Sequence, residues 1–466
     1  MADEFDVVVI GAGPPGENAA GRCADQGLST AIVESDLVGG TCTYWGCIPS
    51  KALIRPGDVV AAARRAPGAA EAVTGSIDAD AAFAQRDYMT SSWDDTGAIR
   101  WLDDEGITLV RGHGRLAGER AVEVDTPEEG TRRLTARRAV VLANGTAALI
   151  PPIEGLREAG PWDNKSATEA KQVPRRLLVL GGGPIGAELA QAFRRLGSEE
   201  VTVVEAGPRL LAREEPFAGE QVRAGFEADG ITVVTRTKMT RASRAGAGAP
   251  ITATLKDGRT LEGDKVLVAV GRRPNTSDLG LDSVGLGDLA GKYVPVDRRL
   301  QVEGAGGGWL YAVGDINGVA MFTHMGKYQG RLVGDVISGK EVDDLADYGI
   351  VPRVTFTDPQ VGAVGLTEEQ AREQGIEVRI VDHPIEGVAG TYLLGNGITG
   401  TARMVVDQER RVLVGATFTG PGIQELVHAA TIAVAGRVTL DTLWHAVPAF
   451  PTVSEVWLRL LEAYGL

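Results

Sequence analysis

A glycine pattern that occurs twice constrains the fold of this chain more than any other feature. In each copy, three glycines in G-x-G-x-x-G spacing lie between a predicted buried strand and a predicted helix. Glycines at these places permit a tight turn and let a pyrophosphate approach the backbone at the helix N-terminus. The first copy comprises Phe5–Ile10, Gly11, Gly13 and Gly16, and the second comprises Arg176–Leu180, Gly181, Gly183 and Gly186.

An acidic residue ends the second predicted strand of each copy. Glu34 follows Thr30–Val33, and Glu205 follows Val201–Val204. A carboxylate at this position can accept a hydrogen bond from a ribose hydroxyl. One glycine triplet is weak evidence, but two complete units predict two nucleotide-binding domains. The alternative, one working site and one structural remnant, is disfavoured because both copies keep the glycines and the acid.

The second unit is predicted to bind a nicotinamide nucleotide. Glu205 favours NADH, since its carboxylate would repel the 2′-phosphate of NADPH. Arg209 and Arg213 lie nearby in the sequence and weaken that preference. NADPH therefore stays open as an alternative.

Two of the three cysteines, Cys42 and Cys47, lie in a short glycine-flanked stretch. Three cysteines are too few for a disulfide scaffold, so a close pair indicates catalysis or metal binding. Zinc is disfavoured because no second Cys or His pair has ligand spacing, and no metal site is predicted. A thiolate is favoured near a helix N-terminus, where this stretch leads. Cys23, inside a predicted helix, is expected to be buried.

Length and charge exclude several classes of function. A chain of 466 residues exceeds one hydrophobic core. The net charge of −15 argues against nucleic acid or an anionic membrane as partner. No apolar run approaches the roughly 18 residues that a membrane span needs. The acidic start runs directly into a strand and leaves no room for a signal peptide, so a cytoplasmic location is expected.

The order of predicted elements indicates an α/β fold with two Rossmann-like dinucleotide-binding domains and an α+β C-terminal domain. A helix is expected over Pro49–Ala63, kinked or interrupted at Pro56-Gly57, and residues 65–110 are expected to be helical. Separate strands are predicted at Thr108–Arg111, Ala121–Val124, Arg132–Thr135 and Ala139–Leu142. Predicted domains are 1–149 and 270–345 for the first nucleotide, 150–269 for the second, and 346–466 for the C-terminal domain.

Over its full length the chain resembles the flavoprotein disulfide reductases, which include dihydrolipoamide dehydrogenase, glutathione reductase, mercuric reductase and soluble transhydrogenase. The resemblance implies FAD at the first glycine loop, NAD(P)H at the second, and a homodimer in which each C-terminal domain reaches the partner's active site. The segments that carry it are Gly11–Gly16, Gly40–Lys51, Gly181–Glu188, Gly271–Asn275, Tyr311–Asp315, Phe356–Glu368 and Pro451–Glu455.

The resemblance also implies roles for individual residues. Cys47 would be the charge-transfer thiolate beside the flavin and Cys42 the interchange thiol, so that hydride passes from nicotinamide to FAD and on to a Cys42–Cys47 disulfide. Lys51 would lie beside the flavin with Glu188 as its carboxylate partner, and Asp315 would bind the sugar-like chain of the flavin. The other implied cofactor-binding residues are Gly40, Thr41, Gly145 and Gly271, and Glu455 is an implied catalytic residue.

One position departs from the family. The thiol-transferring members carry a proton-relaying histidine directly before Pro-Thr, held by a glutamate; here Phe450 precedes Pro451-Thr452, while Glu455 is present. Phenylalanine has no proton to exchange, and such a relay is worth roughly 10²–10⁴-fold in rate. Efficient reduction of lipoamide or glutathione disulfide is therefore doubtful. Mercury specialisation is disfavoured because the chain does not end with a cysteine pair, and a transhydrogenase would lack one of the two active-site cysteines.

Three hypotheses follow. The leading one is an FAD-dependent NAD(P)H oxidoreductase whose acceptor needs no histidine relay: a quinone, a metal ion, a nicotinamide nucleotide or an unusual disulfide. The second is a dihydrolipoamide dehydrogenase in which His445 or Tyr44 supplies the proton. The third is a flavoprotein that is not an enzyme and senses redox state through a partner.

Overall fold

The structure is a computed structural model that describes residues 3–128, 130–246, 248–342 and 349–466. The strands are β1 Asp3–Ile10, β2 Thr30–Glu34, β3 Thr108–Arg111, β4 His113–Leu116, β5 Ala121–Thr126, β6 Gly130–Leu142, β7 Thr146–Ala148, β8 Arg176–Leu180, β9 Glu200–Val204, β10 Ile231–Val234, β11 Met239–Arg244, β12 Ile251–Leu255, β13 Thr260–Gly263, β14 Lys265–Val268, β15 Arg272–Pro274, β16 Leu310–Ala312, β17 Arg353–Thr355, β18 Gln360–Gly365, β19 Val378–Pro384, β20 Thr401–Asp407 and β21 Val412–Gly420.

Helices connect and cover these strands. They are α1 Pro14–Asp25, α2 Gly40–Tyr44, α3 Cys47–Arg65, α4 Ala79–Met89, α5 Thr96–Asp104, α6 Asn164–Thr168, α7 Pro184–Leu196, α8 Pro216–Ala228, α9 Thr323–Ile337, α10 Glu368–Glu373, α11 Ala389–Tyr392, α12 Ile423–Ala435, α13 Leu440–Trp444 and α14 Val456–Tyr464.

The chain divides into two compact units. The first comprises Met1–Pro49, Asp87–Leu149 and Gly271–Tyr348. Its main sheet has the order β3-β2-β1-β6-β5-β4, and β16 also pairs with β6. β1 is parallel to β2 and β6, as the strand–helix–strand pattern predicts.

Alternating residues of β1 build two cores in this unit. Val7 and Val9 pack on one face with Ala19 and Cys23 of α1. The other face, with Val8, packs against residues of the neighbouring strands. Such a continuous apolar run is typical of a parallel strand covered on both faces. Cys23 is fully buried, which confirms the packing role expected for it, and burial raises the pKa of its thiol to about 12.

The second unit comprises Ser50–Arg86, Ile150–Val270 and Gly349–Leu466. It contains a parallel sheet of order β10-β9-β8-β14, an antiparallel β11-β12-β13 sheet, and an antiparallel sheet of order β17-β18-β21-β20-β19. β8 repeats the packing of β1: Leu177 and Val179 face Phe193 of α7, and Leu178 and Leu180 face the β11–β13 side. The mixed α/β class predicted from the sequence is confirmed.

The segment expected to be helical over 65–110 contains α4 and α5, and β3 is the strand predicted at Thr108–Arg111. Two local expectations were wrong. Helix α3 is not interrupted at Pro56 but continues to Arg65. Arg132–Thr135 and Ala139–Leu142 belong to the single long strand β6, whose first half pairs with β5 and whose second half pairs with β16.

No helix in the described ranges is long and apolar enough to cross a membrane. The cytoplasmic location expected from the sequence stays a prediction.

Candidate active site

The first glycine loop has the geometry of a phosphate-binding turn. Gly11 has φ +104°, and a Cβ there would lie 2.6 Å from the carbonyl oxygen of Ala143. A Cβ on Gly16 would lie 1.9 Å from the Gly11 carbonyl oxygen, so α1 can approach β1 closely only without a side chain. Gly13 precedes α1 and provides no side-chain cap. Pro14 and Pro15, the first two residues of α1, have no N–H, so Gly16 supplies the first amide group that the helix can offer to an anion. These residues fit the pyrophosphate of FAD.

Glu34 braces this loop. One carboxylate oxygen accepts the N–H of Ala12 at 2.8 Å, and the other accepts the N–H of Asp36 at 2.7 Å. Burial raises the pKa of the carboxyl group, and these backbone hydrogen bonds oppose that rise. The carboxylate thus holds the glycine loop in shape at the end of β2, where the ribose of a bound dinucleotide would lie.

Asp315 lies in a polar cluster with two residues that the sequence analysis missed. Its carboxylate accepts a hydrogen bond from the Thr146 hydroxyl at 2.8 Å, and Arg272 donates to the same hydroxyl at 2.6 Å. The guanidinium is 3.6 Å from the Asp315 carboxylate. The neighbouring glycines, Gly145 and Gly271, have φ of +61° and +148°. These two glycines were the signal that could have led to Thr146 and Arg272, because glycines of this kind indicate tight turns at strand ends and each is followed directly by one of these residues.

The cysteine stretch is anchored on the same loop. Gly39 donates its N–H to the Ala12 carbonyl at 2.8 Å. Gly40 has φ +61°, and a Cβ there would lie 2.7 Å from the Cα of Gly13. Gly40 is followed by Thr41 and Cys42 in the short helix α2. The cysteine-bearing helix therefore lies directly against the turn that fits a pyrophosphate.

Cys42 and Cys47 are present as thiols, and a hydrogen bond joins their side chains. Cys42 is half-buried and Cys47, the first residue of α3, is exposed. The bond to Cys47 and then burial raise the pKa of Cys42, whereas a hydrogen bond with Thr323 lowers it. The Thr323 hydroxyl also lies 3.4 Å from the sulfur of Cys47. The pair has the contact that a reversible disulfide requires.

Lys51 and Glu188 form an ion pair within the second unit. The Lys51 Nζ lies 2.6 Å from one Glu188 oxygen, and the other oxygen accepts the Phe356 N–H at 2.9 Å. Lys51 also lies 4.7 Å above the centre of the Phe356 ring. Glu188 is buried, so the carboxylate is held in place and orients the lysine head group.

The second glycine loop repeats the first in detail. Gly181 has φ +101°, and a Cβ there would lie 2.4 Å from the Ala269 carbonyl oxygen. A Cβ on Gly186 would lie 2.0 Å from the Gly181 carbonyl oxygen, and Gly183 leaves the start of α7 uncapped. Glu205 accepts the N–H of Gly182 at 2.7 Å and that of Gly207 at 2.6 Å. These residues fit a second dinucleotide.

The arginines near Glu205 differ in their surroundings. Arg209 donates to the carbonyl oxygens of Ala212 at 3.1 Å and Glu214 at 3.2 Å, so it is engaged by its own loop. Arg213 is exposed.

At the C-terminus, Phe450 and Glu455 are placed very differently. Phe450 is 75% exposed, whereas Glu455 is buried. One oxygen of Glu455 accepts a hydrogen bond from Arg459 at 2.6 Å, and the other is buried with no hydrogen-bond partner. Arg459 thus bonds one oxygen of the carboxylate that, by the family resemblance, would hold a histidine at position 450.

Neither suggested substitute for the histidine has a favourable setting. Tyr44 is buried, and burial raises the pKa of its hydroxyl. His445 is exposed, one residue beyond α13. Among the described residues, no group of three or more His, Cys, Asp or Glu side chains could hold a metal ion.

Comparison with known proteins decides the family. Residues 5–330 match the family described as pyridine nucleotide-disulphide oxidoreductase, and residues 351–460 match its dimerisation domain. The chain belongs to the pyridine nucleotide-disulphide oxidoreductases. It is an FAD-dependent enzyme that acts on NAD(P)H, and the second match supports a homodimer. The leading sequence-based assignment is confirmed at this level, and the hypothesis of a sensor that is not an enzyme loses its support.

Relatives within this oxidoreductase family differ in substrate. The chain is 32% identical over 454 residues to a dihydrolipoyl dehydrogenase of Mycobacterium tuberculosis, covering 97% of this chain and 96% of that one. It is 30% identical over 454 residues to a mercuric reductase of Staphylococcus aureus, covering 97% of this chain and 81% of that one.

Solved structures share the fold of this oxidoreductase. LpdA of Mycobacterium tuberculosis superposes with a TM-score of 0.87 at 24% identity, covering all of both chains. The Cu(II) complex of the HOCl-induced flavoprotein disulfide reductase RclA of Escherichia coli has a TM-score of 0.85 at 24% identity, covering 99% of each chain.

Proposed function

We propose that this oxidoreductase uses Cys42 and Cys47 as a redox-active dithiol and passes two electrons from NADH to an acceptor that needs no histidine proton relay. The observation that carries the proposal is the contact between the two thiols against the first glycine loop, in a chain whose position 450 is phenylalanine. The acceptor classes are a quinone, a metal ion, a nicotinamide nucleotide and an unusual disulfide.

The residues divide the work as follows. The first glycine loop, Glu34 and the Asp315 cluster hold FAD, and the second loop with Glu205 holds the nicotinamide nucleotide. Bound FAD supplies the redox chemistry that connects oxidation of the nucleotide with reduction of the cysteine pair. Lys51, held by Glu188, places a positive charge on α3, the helix that starts at Cys47.

Proton supply distinguishes this proposal from ordinary thiol transfer. Releasing a substrate dithiol from a mixed disulfide requires a proton at the leaving sulfur. Phe450 cannot supply it, and Arg459 is a poor acid because a guanidinium stays protonated. A quinone, a metal ion or a nicotinamide nucleotide takes electrons without a leaving thiol and avoids this requirement. A disulfide acceptor would have to be unusual in releasing a thiolate that is stable without the proton.

Anaerobic titration of the holoenzyme with NADH tests the dithiol. The wild type should take up two electrons more than its flavin alone accepts. The Cys42→Ser variant should take up only the electrons that the flavin accepts. Turnover should then be compared over quinones, Cu(II), Hg(II), glutathione disulfide and lipoamide. If the Cys42→Ser variant keeps wild-type turnover with every acceptor, the dithiol role is contradicted.

A dihydrolipoamide dehydrogenase activity is the second candidate, favoured by the 32% identity to dihydrolipoyl dehydrogenases. It requires a proton donor other than residue 450. Rapid reduction of lipoamide by the wild-type enzyme, lost in His445→Gln or Tyr44→Phe, would support this candidate over the first.

The preference for NADH rests on Glu205. Its two oxygens are fixed by backbone N–H groups, so its charge is held beside the second glycine loop. Arg209 donates to carbonyl oxygens of its own loop. Of the two arginines that the sequence places near Glu205, Arg213 is therefore the one that could bind a 2′-phosphate, and it is exposed. The ratio of kcat/KM for NADH and NADPH measures this preference directly.

A further inference from the structure

The hydroxyl of Thr323 touches the sulfurs of the cysteine pair although it is far from them in sequence. Its Oγ1 lies 3.4 Å from the Cys47 sulfur, and it also forms a hydrogen bond with Cys42. Thr323 is partly buried in the first unit. Neither the glycine pattern nor the cysteine stretch points to this residue.

Two helix N-termini converge at the contact. Cys47 is the first residue of α3, which has 19 residues, and Thr323 is the first residue of α9, which has 15. Neither helix carries an acidic residue in its first turn, and Phe322 provides no side-chain cap for α9. The partial positive charges of both helix starts favour a negative charge at the Cys47 sulfur.

The direction of the hydrogen bond depends on the protonation of Cys47. Between a thiol and a hydroxyl, either atom can donate. A thiolate can only accept, so the threonine hydroxyl must then donate. A hydrogen bond to a charged acceptor is stronger than one between neutral groups. Thr323 also bonds Cys42 and lowers the pKa of that thiol, but the hydrogen bond to Cys47 and burial raise the Cys42 pKa by more, so Cys47 is the sulfur that carries the charge after reduction.

We propose that Thr323 is a positioning residue of the dithiol, whose hydroxyl donates to the Cys47 thiolate and stabilises that thiolate after reduction. This inference rests on the proposed function. In the reduction, NAD(P)H gives up two electrons and one proton and becomes NAD(P)⁺. The S–S bond breaks, the proton binds to Cys42, and Cys47 is left as the thiolate.

Other titratable groups near the pair must be held constant in a test. On these elements they include Cys42 and Tyr44 on α2, Lys51 on α3, and His324 and Lys327 on α9. Glu17 lies on α1, which packs against α9, and burial raises its pKa to about 7. Substitutions of Thr323 alone leave all of these groups in place. Thr323→Val removes the hydroxyl and keeps the shape, whereas Thr323→Ser keeps the hydroxyl, so the two variants form a matched pair.

The experiment measures alkylation of Cys47 by iodoacetamide in full-length holoenzyme reduced with a phosphine, as a function of pH, with the site located by mass spectrometry. Thr323→Val should raise the midpoint of the alkylation profile by about one to two pH units, the equivalent of one hydrogen bond to a charged group. Thr323→Ser should keep the wild-type midpoint. The long-wavelength absorbance of the reduced holoenzyme should follow the same midpoints.

An unchanged midpoint in Thr323→Val would overturn the proposal, and so would equal shifts in the Val and Ser variants, because a steric effect would then explain both. If the valine variant does not fold, Thr323→Ala takes its place with the same expected shift. The alkylation assay needs neither nicotinamide nor acceptor. If turnover proved not to use Cys42 and Cys47, the proposed function would be refuted, but the pH profile of Cys47 alkylation would still test the role of Thr323.

Discussion

At position 450 the chain presents an exposed benzyl group where thiol-transferring relatives carry an imidazole. The consequence extends to Glu455, which keeps one oxygen bonded to Arg459 and one oxygen buried without a partner. A buried acceptor without a donor is costly, so such an atom needs an explanation in a native structure. By the family resemblance, the donor to this oxygen would be the histidine whose position Phe450 occupies.

Phe450→His should increase the reduction of lipoamide at least about tenfold, because an imidazole can relay the proton and Glu455 has an oxygen ready to orient it. The measurement is kcat/KM with lipoamide and NADH. Phe450→Leu serves as the control that removes the ring without adding an acid. Equal activities of the His and Leu variants would show that proton supply does not limit this reaction.

Glu205→Gln should shift nucleotide preference towards NADPH by about tenfold in the kcat/KM ratio, corresponding to roughly 1.4 kcal/mol. The amide removes the negative charge that opposes a 2′-phosphate, while one oxygen can still accept a backbone N–H. Arg213→Gln is the matched control and should move the ratio in the opposite direction. A ratio unaffected by Glu205→Gln would assign the preference to other residues.

At the scale of elements, helix α3 takes part in an ionic network in its later turns. It starts at Cys47 and carries Asp58 and Arg65 further on. Arg195 of α7 lies 3.4 Å from Asp58 and 2.7 Å from Asp358, and Arg65 pairs with Asp358 as well. The network holds the later turns of α3, and the helix is continuous through Pro56.

Asp58 predicts a pH dependence of stability. Burial raises its pKa to about 6, against the opposing effect of Arg195. The folded chain therefore binds this proton more tightly than the unfolded chain, whose carboxyl group titrates near 3.8. Stability from this group is fully present below pH 3.8 and is lost as pH rises through 6.

Asp58→Asn keeps the uncharged shape, so its stability relative to wild type should be greater at pH 7.5 than at pH 4.5 by roughly 1–3 kcal/mol. Urea unfolding at the two pH values measures this difference. If instead the free energy of unfolding of the wild type rose relative to that of Asp58→Asn as pH increases, Asp58 would be ionised and stabilised by Arg195.

Gly40→Ala should lower the flavin content of the purified enzyme. A left-handed φ costs a non-glycine residue about 1–2 kcal/mol, and the new Cβ would also lie 2.7 Å from Gly13. The ratio of flavin to protein absorbance reports the loss. Gly397→Ala is the control, because φ there is +69° and nothing lies within 4 Å of the added Cβ. Equal flavin contents in the two variants would argue against the packing of α2 on the glycine loop.

At the scale of the whole molecule, residues 351–460 are the part expected to join two chains. Several large apolar side chains of this segment are exposed in the single chain, including Ile432 at 56% and Val447 at 84%. Exposed apolar groups concentrated on one domain are typical of a surface that a partner covers.

Sedimentation equilibrium should therefore give a particle of twice the chain mass of 48.9 kDa. The homodimer should persist at the micromolar concentrations of enzyme assays, because interfaces of obligate dimers are large and apolar. A particle of 48.9 kDa at all concentrations would contradict the assembly that the dimerisation domain supports.

The sequence by itself determined the two nucleotide-binding units, because each depends on residues close together in the chain. Predicted strand Arg176–Leu180 is β8, and predicted strand Phe5–Ile10 lies within β1. Local apolar runs and glycines that need φ above zero leave few alternatives. The cysteine pair could be recognised for the same reason.

Only the tertiary structure decided which distant residues meet at that pair and around the cofactor sites. Thr323 reaches Cys47 across 276 positions, and Thr146 reaches Asp315 across 169. The positions of hydroxyl and guanidinium groups in the sequence follow no periodic pattern from which their hydrogen-bond partners could be predicted. Their roles follow from where the folded backbone brings them, and this physical fact limits what sequence alone can predict.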